Sequence, residues 1–140
     1  MSDKTLVDSN ILIYAYDLDA GAKHRKAADI LESLWELNLG VLSMQVLQEF
    51  YVNVTRKIAR PLARKSARAI VEAYAIWCVH TTPSELMAAF HIEDDARIGF
   101  WDALIVAAAV KAGATRILSE DLNPGQRIAG VRIENPFAGA

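Results

Sequence analysis

The sequence predicts an α/β domain of three layers, α/β/α, built on a central, mostly parallel sheet. Three observations predict it. Short apolar, strand-like segments alternate along the chain with segments of helical periodicity, the pattern of a parallel sheet covered on both faces. Phe100–Gly113 reads as a helix in which every side chain from Ala103 to Val110 is apolar, so it has no wet face and must be packed on several sides. And the first apolar strand runs directly into Asp8-Ser9-Asn10, residues that cap helices, which puts an acid at the strand tip where open α/β sheets bind ligands.

Taken in order, Thr5-Leu6-Val7 is a short buried strand, and Ile11–Tyr16 continues it through a strand-to-helix turn. Residues 22–38 form an amphipathic helix, with Ala27, Ile30, Leu31, Leu34 and Trp35 at helical spacing. Val41-Leu42-Ser43 is a second strand. A helix from Met44 to Lys57 carries the apolar stripe Leu47, Phe50, Tyr51, Val54 and Ile58, and a polar line of Gln45, Glu49 and Asn53 at i, i+4 spacing. Pro61 interrupts the pattern and a fourth helix follows through Tyr74. Trp77-Cys78-Val79-His80 reads as a third strand. Thr82-Pro83-Ser84-Glu85 is a cap, a proline at the first helical position and a glutamate three residues on, opening a helix to about Asp95. After the apolar helix come a fourth strand, Arg116–Ser119, ending at Glu120-Asp121, a turn at Asn123-Pro124-Gly125, and an edge strand at Val131–Ile133.

Bulk properties narrow the class. A chain of 140 residues is expected to be one domain, residues 1–140, long enough for a sizeable core. Hydrophobic residues at 53% and charged residues at 23% describe a globular rather than a disordered chain. No apolar run approaches the roughly 20 residues that cross a bilayer. The start, Met1-Ser2-Asp3-Lys4, lacks the layout of a signal peptide. Cys78 has no intrachain partner, so a cytoplasmic location is the expectation. A net charge of -2 neither announces nor excludes a nucleic-acid partner.

The chemistry lies in the acids. Asp8 follows the first strand, Asp121 follows the fourth, Asp102 opens the apolar helix, and Glu49 lies on a helix flanking the same edge. Four carboxylates drawn together raise one another's pKa values and destabilise the fold, a cost that a hard divalent cation removes. Mg²⁺ and Mn²⁺ favour such oxygen ligands, whereas His24, His80, His91 and Cys78 are scattered and make no zinc spacing. The residues therefore point to a Mg²⁺/Mn²⁺ site acting on a phosphate ester. Arg56, Lys57, Arg60, Arg64, Lys65 and Arg68 concentrate positive charge in one stretch that could hold phosphates, with Arg56 and Arg60 the expected substrate contacts. An ordinary solvated helix face explains that stretch better than an RNA track does. Tyr14, Tyr16 and Tyr51 could stack on bases, although their positions on apolar stripes favour core packing.

Leu6-Val7-Asp8-Ser9-Asn10, Gln48-Glu49-Phe50, Phe100-Trp101-Asp102-Ala103-Leu104-Ile105 and Leu118-Ser119-Glu120-Asp121 together resemble the four acidic motifs of the PIN domain, and more narrowly those of VapC-type toxin ribonucleases. The likeness covers nearly the whole chain, and the tryptophan-aspartate motif is its most specific part. It implies a metal-dependent endoribonuclease, usually a homodimer, silenced by a cognate antitoxin that covers the active site. By that likeness Asp8, Glu49, Asp102 and Asp121 hold the metal, with Asn10 and Ser119 as polar support where substrate binds. One departure is that the Asp-Phe pair many members carry after the fourth motif falls on Pro124-Gly125 here.

Two other classes compete. A phosphotransferase with an aspartyl-phosphate intermediate also places Asp after its first strand, but usually has a second Asp two residues on, where this chain has Asn10. A non-catalytic RNA- or protein-binding module is the other, and retention of all four acids argues against it.

Overall fold

The structure, a computed structural model, describes residues 3–138. Its elements follow the alternation read from the sequence: β1 (Thr5–Val7), α1 (Ser9–Tyr14), α2 (Ala22–Leu37), β2 (Gly40–Val41), α3 (Met44–Arg56), α4 (Arg64–Tyr74), α5 (Pro83–Ala96), α6 (Phe100–Ala112), β3 (Arg116–Leu118), β4 (Arg127–Ile128) and β5 (Val131–Glu134). The sheet order is β2-β1-β3-β5-β4. The first four strands in that order run parallel, and β4 pairs antiparallel with β5.

Because side chains alternate across a strand, each strand feeds two cores. Val7 and Leu118 point to one face, where α1, α2, α3 and α4 bury Ile11, Leu12, Leu31, Leu34, Phe50 and Val54. Leu6, Val41, Ile117 and Ile133 point to the other, where α6 lays Ile105, Val106, Ala108 and Ala109 against the sheet. The outer side of α6 meets α5 through Ala89, Ala103 and Ala107, whose small side chains let the helices approach closely. The three-layer α/β/α expectation holds. The apolar helix is covered as its sequence demands, except at its two ends, where Trp101 and Val110 are exposed. Among the described residues no helix is long and apolar enough to cross a membrane.

Helix ends follow local chemistry. Thr82 and Glu85 make the expected capping box. Ser43, read above as part of the second strand, is instead the cap of α3, its Oγ accepting from the Val46 N–H at 3.2 Å. Gly113 ends α6 at φ 75°, a conformation L side chains avoid.

Two expectations are corrected. Trp77–His80 is not a strand. Ala75–Trp77 forms a 3₁₀ turn, and only Cys78 makes a single parallel bridge, to Leu42. The reason lies in the edge it would join. β2 is two residues long, and the Trp77 ring turns inward so closely over Gly40 that a Cβ there would sit 2.4 Å from it. Asp121 therefore follows the third strand, not a fourth. Nor is Val131–Ile133 the sheet edge. Ala129 and Gly130, at φ 51° and 82°, form a two-residue turn that folds β4 onto its outer side.

Candidate metal centre

The candidate site lies at the C-terminal tips of β1 and β3, where the parallel strands deliver their following residues side by side. Asp8 caps α1. Its backbone N–H donates to the Leu118 carbonyl at 2.9 Å, extending the β1–β3 ladder by one residue and fixing the carboxylate beside the β3 tip. Only 5% of Asp8 is exposed. The Ser9 N–H donates to its Oδ1 and the Ser119 hydroxyl to its Oδ2, each at 2.7 Å.

Ser119 ties this corner together. Besides donating to Asp8, its Oγ accepts from the Asp121 and Leu122 N–H groups at 3.2 and 3.3 Å, shaping the turn that presents Asp121. It is fully buried, so it supports the acids and does not itself face a substrate. Asn10 donates from Nδ2 to Asp121 Oδ2 at 3.1 Å, while its Oδ1 is buried without a hydrogen-bond partner.

Asp102 lies in the first turn of α6, half-buried, behind an N-cap glycine that offers no side-chain oxygen to the helix. Glu49 projects from the exposed side of α3. Electrostatics link the acids. Burial pushes the Asp8 carboxyl above its ordinary range, the Ser119 and Ser9 hydrogen bonds pull it back in part, and the charges of Glu49 and Asp121 raise it further. Asp102 is raised by burial and then by Asp121. Asp121 thus acts on both Asp8 and Asp102, and the sequence-predicted quartet shares one electrostatic neighbourhood. It is not drawn into a closed cage: among the described residues no three Asp, Glu, His or Cys side chains are placed to hold one ion as they stand.

The donor set fits a hard divalent cation. All its atoms are oxygens, two of its carboxylates are held above their ordinary range by burial and mutual repulsion, and Asn10 adds a buried carbonyl oxygen that no protein group satisfies.

The surrounding cations are placed differently from what the sequence suggests. Arg60 grips Asp19 through Nε and Nη2 at 3.0 and 3.2 Å, which takes it away from the site. Arg68 donates to the Tyr51 hydroxyl and lies over that ring. Arg56, in the last turn of α3, makes no ion pair with any described residue. It lies seven residues from Glu49, about two helical turns along the axis. The tyrosines are packed, as their stripes indicate: Tyr16 meets Phe50 edge-on and donates to the Tyr74 hydroxyl.

One group at the site is invisible to sequence reasoning. Glu120, between Ser119 and Asp121, accepts from the Tyr14 hydroxyl at 2.5 Å and pairs with Lys23 at 2.5 Å. Lys23 in turn lies over the Tyr14 and Phe137 rings. Burial pushes Glu120 up, but Lys23 and Tyr14 outweigh it and leave the carboxyl below its ordinary value. This clamp anchors the acidic turn to the start of α2. Lys23 and Glu120 are 97 residues apart, and no local pattern marks them as partners.

Comparison with known proteins identifies the family and the fold. The model of the PIN domain family matches residues 5–130. Among solved structures, VapBC2 from Rickettsia felis bound to a DNA fragment from its promoter is similar over 94% of this chain and 97% of that one, at 17% identity and a TM-score of 0.64. DNA-bound VapBC from Salmonella typhimurium is similar over 97% and 99%, at 20% identity and a TM-score of 0.62. VapC20 of Mycobacterium tuberculosis, a toxin that cleaves the sarcin-ricin loop, is similar over 84% and 89%, at 20% identity and a TM-score of 0.59. No curated protein matches the sequence significantly. With a family match over nearly the whole chain, and with Asp8 and Asp121 at neighbouring strand tips, the protein belongs to the PIN domain family.

Proposed function

We propose that this protein is a Mg²⁺- or Mn²⁺-dependent endoribonuclease, the toxin of a type II toxin–antitoxin pair. The observation that carries the reading is the Asp8 carboxylate, buried at the β1 tip and tied through Ser119 to the turn that presents Asp121, with the charges of Glu49 and Asp121 opposing its own. A fold does not maintain such repulsion for its own stability, and a cation relieves it.

Asp8, Glu49, Asp102 and Asp121 are the residues that would hold the metal, with Asn10 hydrogen-bonded to Asp121 beside them. A bound divalent ion supplies a water of lowered pKa and stabilises charge on the scissile phosphate. This chain's own residues do the rest. Ser119 and the Ser9 amide orient Asp8 and favour its charged form. The Lys23–Glu120–Tyr14 clamp holds the turn that carries Asp121. Arg56 is free to meet a phosphate of the RNA.

The VapBC neighbours support a cognate antitoxin, while the homodimer rests on the resemblance to VapC-type toxins alone. An apolar groove of about 730 Å³ between α3 and α4, lined by Met44, Leu47, Tyr51, Val52, Val71 and Val79, is a surface that either could cover.

The test is cleavage of RNA by the purified protein with Mn²⁺, stopping on addition of chelator and lost in Asp8→Ala and Asp102→Ala. Full activity in either variant overturns the assignment. The open spacing of the acids favours one second reading, a non-catalytic RNA- or protein-binding module. Calorimetry showing no Mn²⁺ binding would overturn the first reading and revive that one.

A further inference from the structure

Trp101 directly precedes Asp102, yet its indole is 63% exposed, a large apolar ring at the rim of the acidic corner. It is not loose. Phe100 meets it edge-on at 5.1 Å and 67°, and Phe90 of α5 backs Phe100 at 5.9 Å and 30°. The three rings form a braced ledge across α5 and α6. One turn of chain earlier, Arg97 ends α5 in the left-handed conformation at φ 55°, exposed and without an ion pair to any described residue. A long side chain at positive φ is uncommon and clusters at sites of function.

We propose that Trp101 is the base-stacking residue for the RNA nucleotide adjoining the cleaved bond, with Arg97 contacting a phosphate of the same strand. The inference rests on the nuclease reading above and adds to it how the strand is held. Trp101 and Asp102 are consecutive in the first turn of α6, their Cα atoms about 3.8 Å apart and their side chains diverging, so a strand whose backbone passes Asp102 can turn a base outward onto the indole. Acids crowd this corner: Glu93, Asp94 and Asp95 on the last turn of α5, and Asp102 itself. Electrostatic attraction alone does not hold a polyanion there. A neutral π-face does, since stacking on an aromatic ring is insensitive to the surrounding charge and accepts any base. The rigid backing by Phe100 and Phe90 removes the ordering cost that a free side chain incurs on binding.

The test uses the full chain and a pool of random-sequence single-stranded 20-nucleotide RNA, with Ca²⁺ for binding and Mn²⁺ for cleavage. Trp101→Ala is expected to weaken binding by about 5- to 150-fold, the range for loss of one stacked base, and Trp101→Phe to restore most of it. That loss should be the same at low and high salt, whereas Arg97→Ala should reduce the salt dependence by about one phosphate contact. RNA should quench the tryptophan emission of the wild type and not that of Trp101→Phe. If the wild type cleaves the pool and Trp101→Ala binds and cleaves equally well, the stacking role falls and the nuclease reading stands. If the wild type cleaves nothing yet RNA still quenches Trp101, the nuclease reading falls, and with it the placement beside a cleaved bond, while Trp101 remains an RNA-stacking residue. A change in sedimentation of Trp101→Ala with unaltered RNA binding assigns the ledge to a protein contact and overturns the proposal.

Discussion

Replacing Ser119 by alanine removes one oxygen and tests how the acidic corner is built. Three hydrogen bonds go at once: the donation to Asp8 Oδ2 at 2.7 Å and the two accepted from the Asp121 and Leu122 N–H groups. A hydrogen bond to a charged group is worth about 1.5–3 kcal/mol. The buried Leu122 N–H left without an acceptor adds about 1–3 kcal/mol. Some of this is recovered as the turn relaxes, so a loss of about 2–4 kcal/mol is expected at neutral pH, near the upper end for a change of one atom. Equilibrium denaturation measures it. The loss should also depend on pH. Ser119 is the main group pulling the Asp8 carboxyl back down, so without it Asp8 moves further above its unfolded value. A carboxyl raised in the folded state supports stability below its unfolded pKa and loses that support as pH rises through its folded pKa. The cost of Ser119→Ala must therefore grow as Asp8 ionises. In an Asp8→Asn background the same substitution should cost less, because no buried charge is then left unsupported. A cost below about 1 kcal/mol, the net value of one ordinary hydrogen bond, or strict additivity with Asp8→Asn, would show that Ser119 does not hold the acid.

Asp8→Asn and Asp102→Asn should each abolish Mn²⁺-dependent RNA cleavage while circular dichroism shows the fold intact. Mn²⁺ at 100 times its Kd should stabilise the wild type by about 2.7 kcal/mol and Asp8→Asn far less, read as a difference in Tm with and without chelator. Gly40→Ala places a Cβ 2.4 Å from the Trp77 ring, and a loss of about 1–3 kcal/mol by denaturant titration follows from overpacking. Ala129→Gly relieves a positive φ of 51° and should stabilise the β4–β5 turn by about 1 kcal/mol, read as a rise in Tm. Lys23→Met breaks the clamp on Glu120 and should lower kcat several-fold with little change in KM, since it moves Asp121 and not the strand.

Where the sequence is legible, one local rule decides the outcome. The capping box at Thr82–Glu85, the αL glycine after α6 and the all-apolar face of that helix each follow from a few neighbouring residues, and each is found as read. So is the placement of Asp8 and Asp121, because parallel strands bring their tips to one side whatever the loops do. The misses share a cause: contacts made far along the chain. Trp77-Cys78-Val79 has strand-like residues, but a partner strand of two residues gives it one bridge, and the core takes the tryptophan ring. The β4 strand escapes notice because Ala129 is not a residue expected at positive φ, so the turn carries half of the usual signal. The basic stretch after α3 reads as one patch. Instead, Arg60 finds Asp19 across 41 residues and Arg68 finds Tyr51, and these two cations turn to partners that the basic stretch itself does not contain.

The same division explains why the site is strained. Every local choice at the β1 tip is favourable: Asp8 is a good cap, Ser9 supplies its N–H, and the backbone completes the ladder to Leu118. The conflict is wholly non-local. Topology sets Asp121 and Glu49 near Asp8, and Asp121 near Asp102 as well, with burial raising both central carboxyls. A sequence selected for stability alone would place Asn or Ser at one of these positions and keep the cap, since a neutral cap serves the helix as well. Folding here accepts like charges that a neutral residue would remove. Such a conflict is retained where the charges act on something outside the chain, and a cation bound among them turns the repulsion into attraction. If denaturation without metal showed no loss of stability as Asp8 and Asp102 ionise, the conflict would not exist, and the argument for a metal at this corner would lose its physical ground.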